Sequence, residues 1–237
     1  MTLLGIDTST PATSACVLRA DGEAFEALAA PERLALPPAH ASELMPAVAD
    51  VMERAGVDWD ELDAIAVGVG PGTFTGLRIG IATARALATA ASLPLRRVSS
   101  LAALAAGIDD LVRLPLIDAR RGEVFAALYE GEREFWPPSV MRPEELIEEL
   151  GNAAVVREGA GGARTGAMPF TPLAAGDGSL RFRGMLEEAG IRVEPDHSEA
   201  HLVRARCVCR LGLGAPDEPP EAVLPDYLRE PDAKPRQ

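Results

Sequence analysis

The sequence predicts an α/β protein built from two similar half-domains, and two observations support this. Strand and helix patterns alternate along the first half in the order β, β, β, α, β, α, β, α. A strand that ends on an aspartate, a tight turn and a second strand occur at 3–19 and again at 114–129. Such a repeat indicates duplication of one structural unit. We therefore expect a first half-domain at 1–108, a second at 109–213 and a Pro-rich, acidic tail at 214–237.

The first half-domain begins with a hairpin whose turn is polar. Its first strands are expected at 3–6, 14–19 and 23–28. Asp7, Thr8 and Ser9 follow the first of these strands. A carboxylate and hydroxyls at a strand end can hold hydrated magnesium and a phosphate, but Asp, Ser and Thr also form ordinary turns. The sequence leaves both interpretations open.

A helical apolar face after a Pro-containing loop predicts a helix at 42–55. Ser42 is placed to cap the start of this helix, and Gly56 to end it. His40 stands just before it. A zinc or iron site would need a partner histidine one helical turn later, where Leu44 is found. We therefore expect a structural role for His40.

The segment at 63–91 predicts a buried strand, a glycine-rich turn and a helix, and the half-domain is organised around it. Thr73 and Thr75 offer hydroxyls to the first amides of the helix. Small residues recur at every fourth position along one helix face, at Gly76, Gly80, Ala84 and Ala88. A face this flat allows another helix to approach closely.

The glycine-rich turn has two competing explanations. Amides at a helix N-terminus can cradle a phosphate, whereas small residues also suit a tight turn beside a close-packed helix pair. The Walker motif is excluded because the single lysine of the chain, Lys234, lies far from any glycine-rich turn. The dinucleotide-binding fingerprint fails as well, since Thr73 or Thr75 stands where its last glycine should be.

The remaining elements follow from weaker patterns. A strand is expected at 94–98, and Ser100 is placed to cap a short helix at 101–106. The second hairpin has Asp118 at the end of its first strand and a tight turn at 121–122. Later elements are a helix at 143–150, a strand at 153–157, a glycine turn at 158–166 and helices at 179–189 and 198–213.

The tail is expected to be extended or disordered because it is rich in Pro, Asp and Glu. Within it, the segment at 225–230 is apolar enough to dock on the folded part.

The charge balance opposes direct binding of nucleic acid. Lys and Arg total 23 against 36 Asp and Glu, so the formal net charge is -13 and a phosphate backbone is repelled on average. Cys16, Cys207 and Cys209 do not form a disulfide or zinc framework. The N-terminus lacks a basic leader, and no apolar stretch reaches the ~18 residues of a spanning helix. A soluble, cytoplasmic protein is expected.

Two half-domains that each begin with an aspartate-bearing hairpin make up the actin-like, sugar-kinase-like ATPase (ASKHA) fold, in which a ribonuclease-H-like half-domain is duplicated. A closer match rests on five segments: IDTST at 6–10, HASELMP at 40–46, GVGPGTFTGLRIGIATARALA at 68–88, IDARRGEVF at 117–125 and PDYLR at 225–229. In these segments the chain resembles the TsaB (YeaZ) family, bacterial accessory subunits for threonylcarbamoyladenosine formation in tRNA. The resemblance is strong over 1–129 and weak over 131–215.

The resemblance implies a non-catalytic subunit that binds and activates TsaD, a paralogue that transfers a threonylcarbamoyl group to the tRNA adenosine next to the anticodon. TsaD carries two metal-binding histidines one helical turn apart, and here only His40 stands near such a position. The resemblance therefore implies no catalytic residue, no metal and no cofactor of its own, with ATP and magnesium at the complex. The implied partners are TsaD, the ATPase TsaE and a second copy of the chain, with tRNA reached only through the complex and no membrane.

In this family the first-domain helices pack against the same pair from TsaD or from a second copy. The resemblance therefore implies an interface on the helices at 42–55 and 76–91, and we expect their small-residue face to be exposed in the monomer. The expected interface residues are Leu44, Val48, Gly76, Arg78, Gly80, Ala84, Arg85 and Ala88. Arg78 and Arg85 either pair with carboxylates at the rim of this interface or form a solvated flank.

Two rival hypotheses remain. One is an active actin-like kinase or ATPase that uses Asp7 and Asp118 around magnesium, and the absence of a lysine near the cleft counts against it. The other is a nucleotide-binding module without catalysis, whose degenerate site would comprise Asp7, Thr8, Ser9 and Asp118. The sequence does not separate a lost nucleotide site from a weak one.

Overall fold

The N-terminal half forms a five-stranded mixed sheet. The computed structural model describes residues 1–159 and 171–229, with the backbone alone at 153–159. The strands of the first sheet are β1 (Leu3–Asp7), β2 (Ser14–Leu18), β3 (Ala24–Leu28), β4 (Ala64–Gly70) and β5 (Leu95–Ser99). They lie in the order β3-β2-β1-β4-β5, with β1 antiparallel to β2 and parallel to β4.

The C-terminal half repeats this arrangement in a second sheet. Its strands are β6 (Val112–Arg120), β7 (Glu123–Glu130), β8 (Arg133–Met141), β9 (Leu173–Ala175) and β10 (Arg192–Val193). They lie in the order β8-β7-β6-β9-β10, and β6 is antiparallel to β7 and parallel to β9. The two sheets therefore share one topology. The predicted two-lobed α/β fold of the actin-like class, with a duplicated half-domain, is confirmed.

In the described residues, seven α-helices cover and separate the sheets. They are α1 (His40–Ala55), α2 (Phe74–Ala91), α3 (Ser100–Ala105), α4 (Pro143–Gly159), α5 (Asp177–Arg181), α6 (Arg183–Glu188) and α7 (Ala205–Gly212). Short 3-10 turns occupy Pro31–Ala35, Trp59–Glu61, Glu199–His201 and Pro220–Ala222. Helices α1 and α2 share a core with Leu4 and Ile6 on one face of the first sheet, whereas α7 packs against Leu3 on the other face.

The layer between the two sheets joins the lobes. Leu101 of α3 and Val208 of α7 belong to the same buried core as Ala66 of the first sheet and Ile117 of the second. Because these side chains are almost completely removed from water, the lobes are held together by a hydrophobic core and not by a linker alone.

The helix ends in the first lobe differ from the expected caps. Helix α1 begins at His40 without a side-chain cap, and the hydroxyl of Ser42 instead donates to the Ala39 carbonyl at 3.0 Å, so the predicted Ser42 cap is wrong. The end is as predicted, because Gly56 adopts a left-handed conformation with φ 60°.

The starts of α2 and α3 also correct the prediction. Thr73 occupies the N-cap position of α2 but makes no side-chain cap hydrogen bond. Helix α3 is capped by Ser99, whose hydroxyl accepts from the Ala102 amide at 3.3 Å. The expected cap, Ser100, is one residue inside the helix and bonds elsewhere.

The second lobe departs most from the sequence-based expectations. The strand predicted at 153–157 is wrong, because these residues continue α4. Of the glycine turn predicted at 158–166, the first two residues belong to α4, and residues 160–166 lie outside the described part of the chain. The helix predicted at 179–189 is two helices, since α5 and α6 meet at Phe182. The helix predicted at 198–213 is a 3-10 turn and the shorter α7.

Strands β8, β9 and β10 had no sequence signal strong enough to predict them. Strand β8 contains Pro137 and Pro138, which disfavour a strand, and it forms one edge of the sheet, where proline is tolerated. Strands β9 and β10 have three and two residues. Segments this short show no usable periodicity.

The described part of the tail lies against the folded lobes. Glu218 exchanges two backbone hydrogen bonds with Leu95, at 2.8 and 2.9 Å, and Val223 is completely buried in the core of the first lobe. The amide of Asp226 donates to the Val69 carbonyl at 2.8 Å. Docking of the apolar segment in the tail is therefore confirmed as far as residue 229.

Candidate functional site

Asp7, at the end of β1, is held by internal hydrogen bonds. Its Oδ1 atom accepts from the Ser9 amide at 2.8 Å and from the Ser9 hydroxyl at 2.6 Å. Its Oδ2 atom accepts from the Ser100 hydroxyl at 2.8 Å. The side chain is only 1% exposed, and this burial raises its pKa. Oδ1 is thus used within the hairpin turn and Oδ2 ties the hairpin to α3, which favours the structural interpretation of this turn over a ligand for hydrated magnesium.

Thr8 explains the small-residue face of α2. The Thr8 hydroxyl donates to the Gly76 carbonyl at 2.8 Å, inside the first lobe. A Cβ atom at Gly76 would collide with the Thr8 carbonyl, and one at Gly80 would collide with the Thr8 hydroxyl. The flat face therefore lets the first hairpin of the same chain approach α2, where the sequence had suggested a helix from another chain.

This packing contradicts the expected exposure of the predicted interface residues. Six expected interface residues are buried in the monomer: Leu44, Val48, Gly76, Gly80, Ala84 and Ala88. Ala84 has no exposed surface and belongs to the core of the first lobe. The expectation that this face is exposed in the monomer is wrong, because periodicity identifies a flat face but not the group that covers it. Of the two expected rim residues, Arg78 is exposed and Arg85 is half-buried.

The opposite sides of α1 and α2 form a different surface, which we term the outer helical surface. Its residues are Ala41, Met45 and Ala49 of α1 and Thr75, Arg78, Ile79, Ala82 and Ala86 of α2. All are exposed except Ile79, which is half-buried. Met45 is a large apolar residue, and 46% of its surface is exposed. The outer helical surface thus combines small side chains with exposed apolar ones.

Asp118, at the end of β6, lies in a cluster of charged groups in the second lobe. Its Oδ2 atom accepts from Arg120 and from Arg181, each at 3.1 Å. Its backbone amide donates to Asp177 at 3.0 Å. Burial raises the pKa of Asp177 to about 6, and the nearby Asp118 carboxylate adds to the shift. Asp177 was not predicted, although its place between Gly176 and Gly178 is a signal that could have identified it.

Two cavities lie on either side of this cluster. The first has about 590 Å³ and is lined by the loop before α2, the turn between β6 and β7, and the tail at 226–229. The second has about 700 Å³ and lies between the Pro31–Ala35 turn and α5. Asp118 and Arg120 line both. Arg120 and Arg121 have positive φ angles of 65° and 56°, a strained conformation that places two arginines at the turn.

His40 is enclosed by the first hairpin and α1. Its Nδ1 atom lies 2.8 Å from the Thr13 hydroxyl, which donates to Glu43 at 3.0 Å. Burial lowers the pKa of His40. Within residues 1–159 and 171–229, no three His, Cys, Asp or Glu side chains are grouped as metal ligands.

Helix length and apolarity also bear on a membrane location. In the part of the chain that the structure describes, none of the helices combines the length and apolar character that a membrane span needs.

Comparison with known proteins points to one group. A family model described as "TsaD: tRNA N6-adenosine threonylcarbamoyltransferase" matches residues 31–216. The chain is 37% identical to the "tRNA threonylcarbamoyladenosine biosynthesis protein TsaB" of Escherichia coli over 63% of this chain and 66% of that protein, just under two thirds of the relative. It is 33% identical to the protein of the same name from Haemophilus influenzae, over 69% of this chain and 73% of the relative.

The fold agrees with the sequence comparison. A solved structure titled "YeaZ from Pseudomonas aeruginosa" superposes with a TM-score of 0.71 at 29% identity, and the match covers 96% of this chain and 99% of that one. The similarity therefore extends beyond the N-terminal segments to both lobes.

Proposed function

The chain belongs to the TsaB (YeaZ) family, and from this premise we propose that it takes part in the biosynthesis of threonylcarbamoyladenosine in tRNA. In this role it is a non-catalytic subunit that binds and activates the catalytic paralogue TsaD. The ATPase TsaE joins the assembly, and tRNA is contacted through the complex. In the absence of TsaD, a second copy of the chain takes its place.

The outer helical surface is the observation that carries this proposal. Ala41, Ala82 and Ala86 are small and exposed, so the helices of a partner can approach closely there. Exposed Met45 and half-buried Ile79 supply apolar area that gains free energy when it is removed from water. We assign this surface, in place of the buried face, to TsaD and to the second copy.

The state of the carboxylates supports a non-catalytic role. Asp7 uses both oxygens for Ser9 and Ser100, and Asp118 is paired with two arginines. Both carboxylates are therefore committed to contacts within the chain, and the two arginines compensate the charge of Asp118. We therefore propose that the subunit has no cofactor of its own and that ATP and magnesium act at the complex.

A substitution on the exposed side of α2 tests the assignment of the outer helical surface. Ala82→Arg places a long charged side chain on the outer helical surface, and we expect it to weaken binding of TsaD and self-association at least tenfold, about 1.4 kcal/mol. The thermal melt of the free chain should be unchanged because Ala82 is exposed. Analytical ultracentrifugation, alone and with TsaD, measures both associations.

The controls separate an interface from a structural effect. Ala20→Arg adds the same side chain at an exposed turn residue outside the outer helical surface and should leave binding unchanged. Ala84→Arg should lower the melting temperature because Ala84 is buried. Normal assembly of the Ala82→Arg variant would show that the interface lies elsewhere.

The rival kinase hypothesis makes a different prediction. If Asp118 held magnesium in an active site, Asp118→Asn would abolish an ATPase activity of the isolated subunit, and Ala82→Arg would not change it. We expect no such activity in the isolated subunit and threonylcarbamoyl transfer only after TsaD is added. ATP turnover by the isolated wild-type chain that Asp118→Asn removes would favour the rival.

A further inference from the structure

Residues 225–229 cross from one lobe to the other, and we term this segment the C-terminal strap. On the first lobe, the Asp226 amide donates to the Val69 carbonyl at 2.8 Å. On the second lobe, Arg229 donates to the Ala119 carbonyl at 2.9 Å and forms an ion pair with Glu123. Five residues therefore contact both lobes.

The centre of the strap is held by an aromatic contact on α2. The rings of Tyr227 and Phe74 are stacked, with centroids 5.4 Å apart and planes at 26°. The Arg78 guanidinium lies 3.7 Å from the Phe74 centroid, and its Nε atom donates to the Tyr227 hydroxyl at 3.0 Å. These three side chains bind the strap to the first turns of α2.

The strap is also one wall of the 590 Å³ cavity. Behind it lie Ala119 and Phe125, which are 6% exposed and belong to the core between the lobes. The half-buried Leu228 packs against this core from the strap. If the strap moved away, this side of the cavity would open to water while the rest of that core remained in place.

The contacts of the strap differ in kind from those of the chain just before it. Glu218 pairs with Leu95 through two backbone hydrogen bonds, and Val223 is completely buried. Leu224 is 57% exposed, and beyond it the strap is held by partly exposed rings, a partly exposed ion pair and few backbone bonds. Segments with such contacts open at much lower free energy than the core.

We propose that the C-terminal strap is a releasable gate over the cavity between the lobes. It pivots after Val223, which stays buried, and its release exposes the cavity without unfolding either lobe. This inference goes beyond the function proposed above and does not depend on the identity of the partner.

A thiol placed behind the strap tests the gate. The native cysteines provide an internal reference, since Cys16, Cys207 and Cys209 are at most 2% exposed. In the full-length Ala119→Cys protein, we expect the new thiol to react with Ellman's reagent at a rate that sub-denaturing urea leaves unchanged, because local opening exposes little surface. Adding Tyr227→Ala and Arg229→Ala should accelerate this reaction at least tenfold.

Mass mapping of the labelled peptides decides the outcome. Tyr227→Phe is the matched control, because it keeps the ring and loses only the hydrogen bond to Arg78, and it should label within threefold of the parent. If the strap substitutions do not accelerate labelling at position 119, the strap is not a gate. If the native cysteines become labelled at the same rate as position 119, the strap is part of the cooperative fold and the proposal is overturned.

Discussion

Gly80 of α2 lies against Thr8 of the first hairpin, and this single contact controls how closely the helix packs on the sheet. A Cβ atom at position 80 would collide with the Thr8 hydroxyl, which is already engaged by the Gly76 carbonyl. We predict that Gly80→Ala lowers the free energy of unfolding by ~1 to 3 kcal/mol, the usual range for an overpacked core site. Urea denaturation measures the change.

Two comparisons test the reason for this loss. Gly184→Ala, in α6, adds a methyl group with no neighbour within 4 Å and should be neutral or stabilising. In the Thr8→Ala background the colliding oxygen is absent, so the additional cost of Gly80→Ala should fall. Equal costs in both backgrounds would show that Thr8 is not responsible.

At the scale of elements, α1 and α2 end in the same left-handed geometry but use different residues. Gly56 follows α1 with φ 60° and ψ 40°, and Ser92 follows α2 with φ 55° and ψ 38°. Glycine adopts this conformation without steric cost, whereas an L-residue pays roughly 1 to 2 kcal/mol. The end of α2 is therefore less favourable than that of α1.

Exchanging the two C-caps should shift stability in opposite directions. We expect Ser92→Gly to stabilise the protein by about 1 kcal/mol and Gly56→Ser to destabilise it by a similar amount. Differential scanning calorimetry at one pH compares the variants. Destabilisation by Ser92→Gly would indicate that the serine makes a stabilising contact that outweighs the strain of its backbone.

At the scale of the whole molecule, the excess of acidic residues opposes the binding of nucleic acid. The net charge of -13 repels phosphates, although Arg120 and Arg121 are exposed together at one turn. We predict that the isolated subunit binds tRNA with Kd weaker than ~1 µM at physiological salt. Fluorescence anisotropy with labelled tRNA measures the affinity, and the proposed complex with TsaD serves as the comparison. Sub-micromolar binding by the subunit alone would contradict the prediction.

Much of the fold could be predicted because local patterns are strong in the first lobe. Alternating apolar residues around Val67 mark β4, and a helical face that ends at Gly56 marks α1. The second lobe was harder. Strands of two or three residues carry no periodicity, and the segment at 153–157 suits a strand by composition although it continues α4. The candidate site was predicted only in part, since Asp118 was identified but Asp177 was not.

The sequence by itself determined the duplicated α/β architecture, the family, the acidic charge and the segments that form α1, α2 and both hairpins. Only the tertiary structure decided what those segments contact. Asp7 accepts a hydrogen bond from Ser100, which is 93 positions away in the sequence, and Tyr227 accepts one from Arg78, which is 149 positions away. Periodicity records which residues share a face, because it follows from the local backbone repeat. It does not record which distant group covers that face, and so the small residues of α2 could be recognised as a contact surface but not as one that the chain's own hairpin fills.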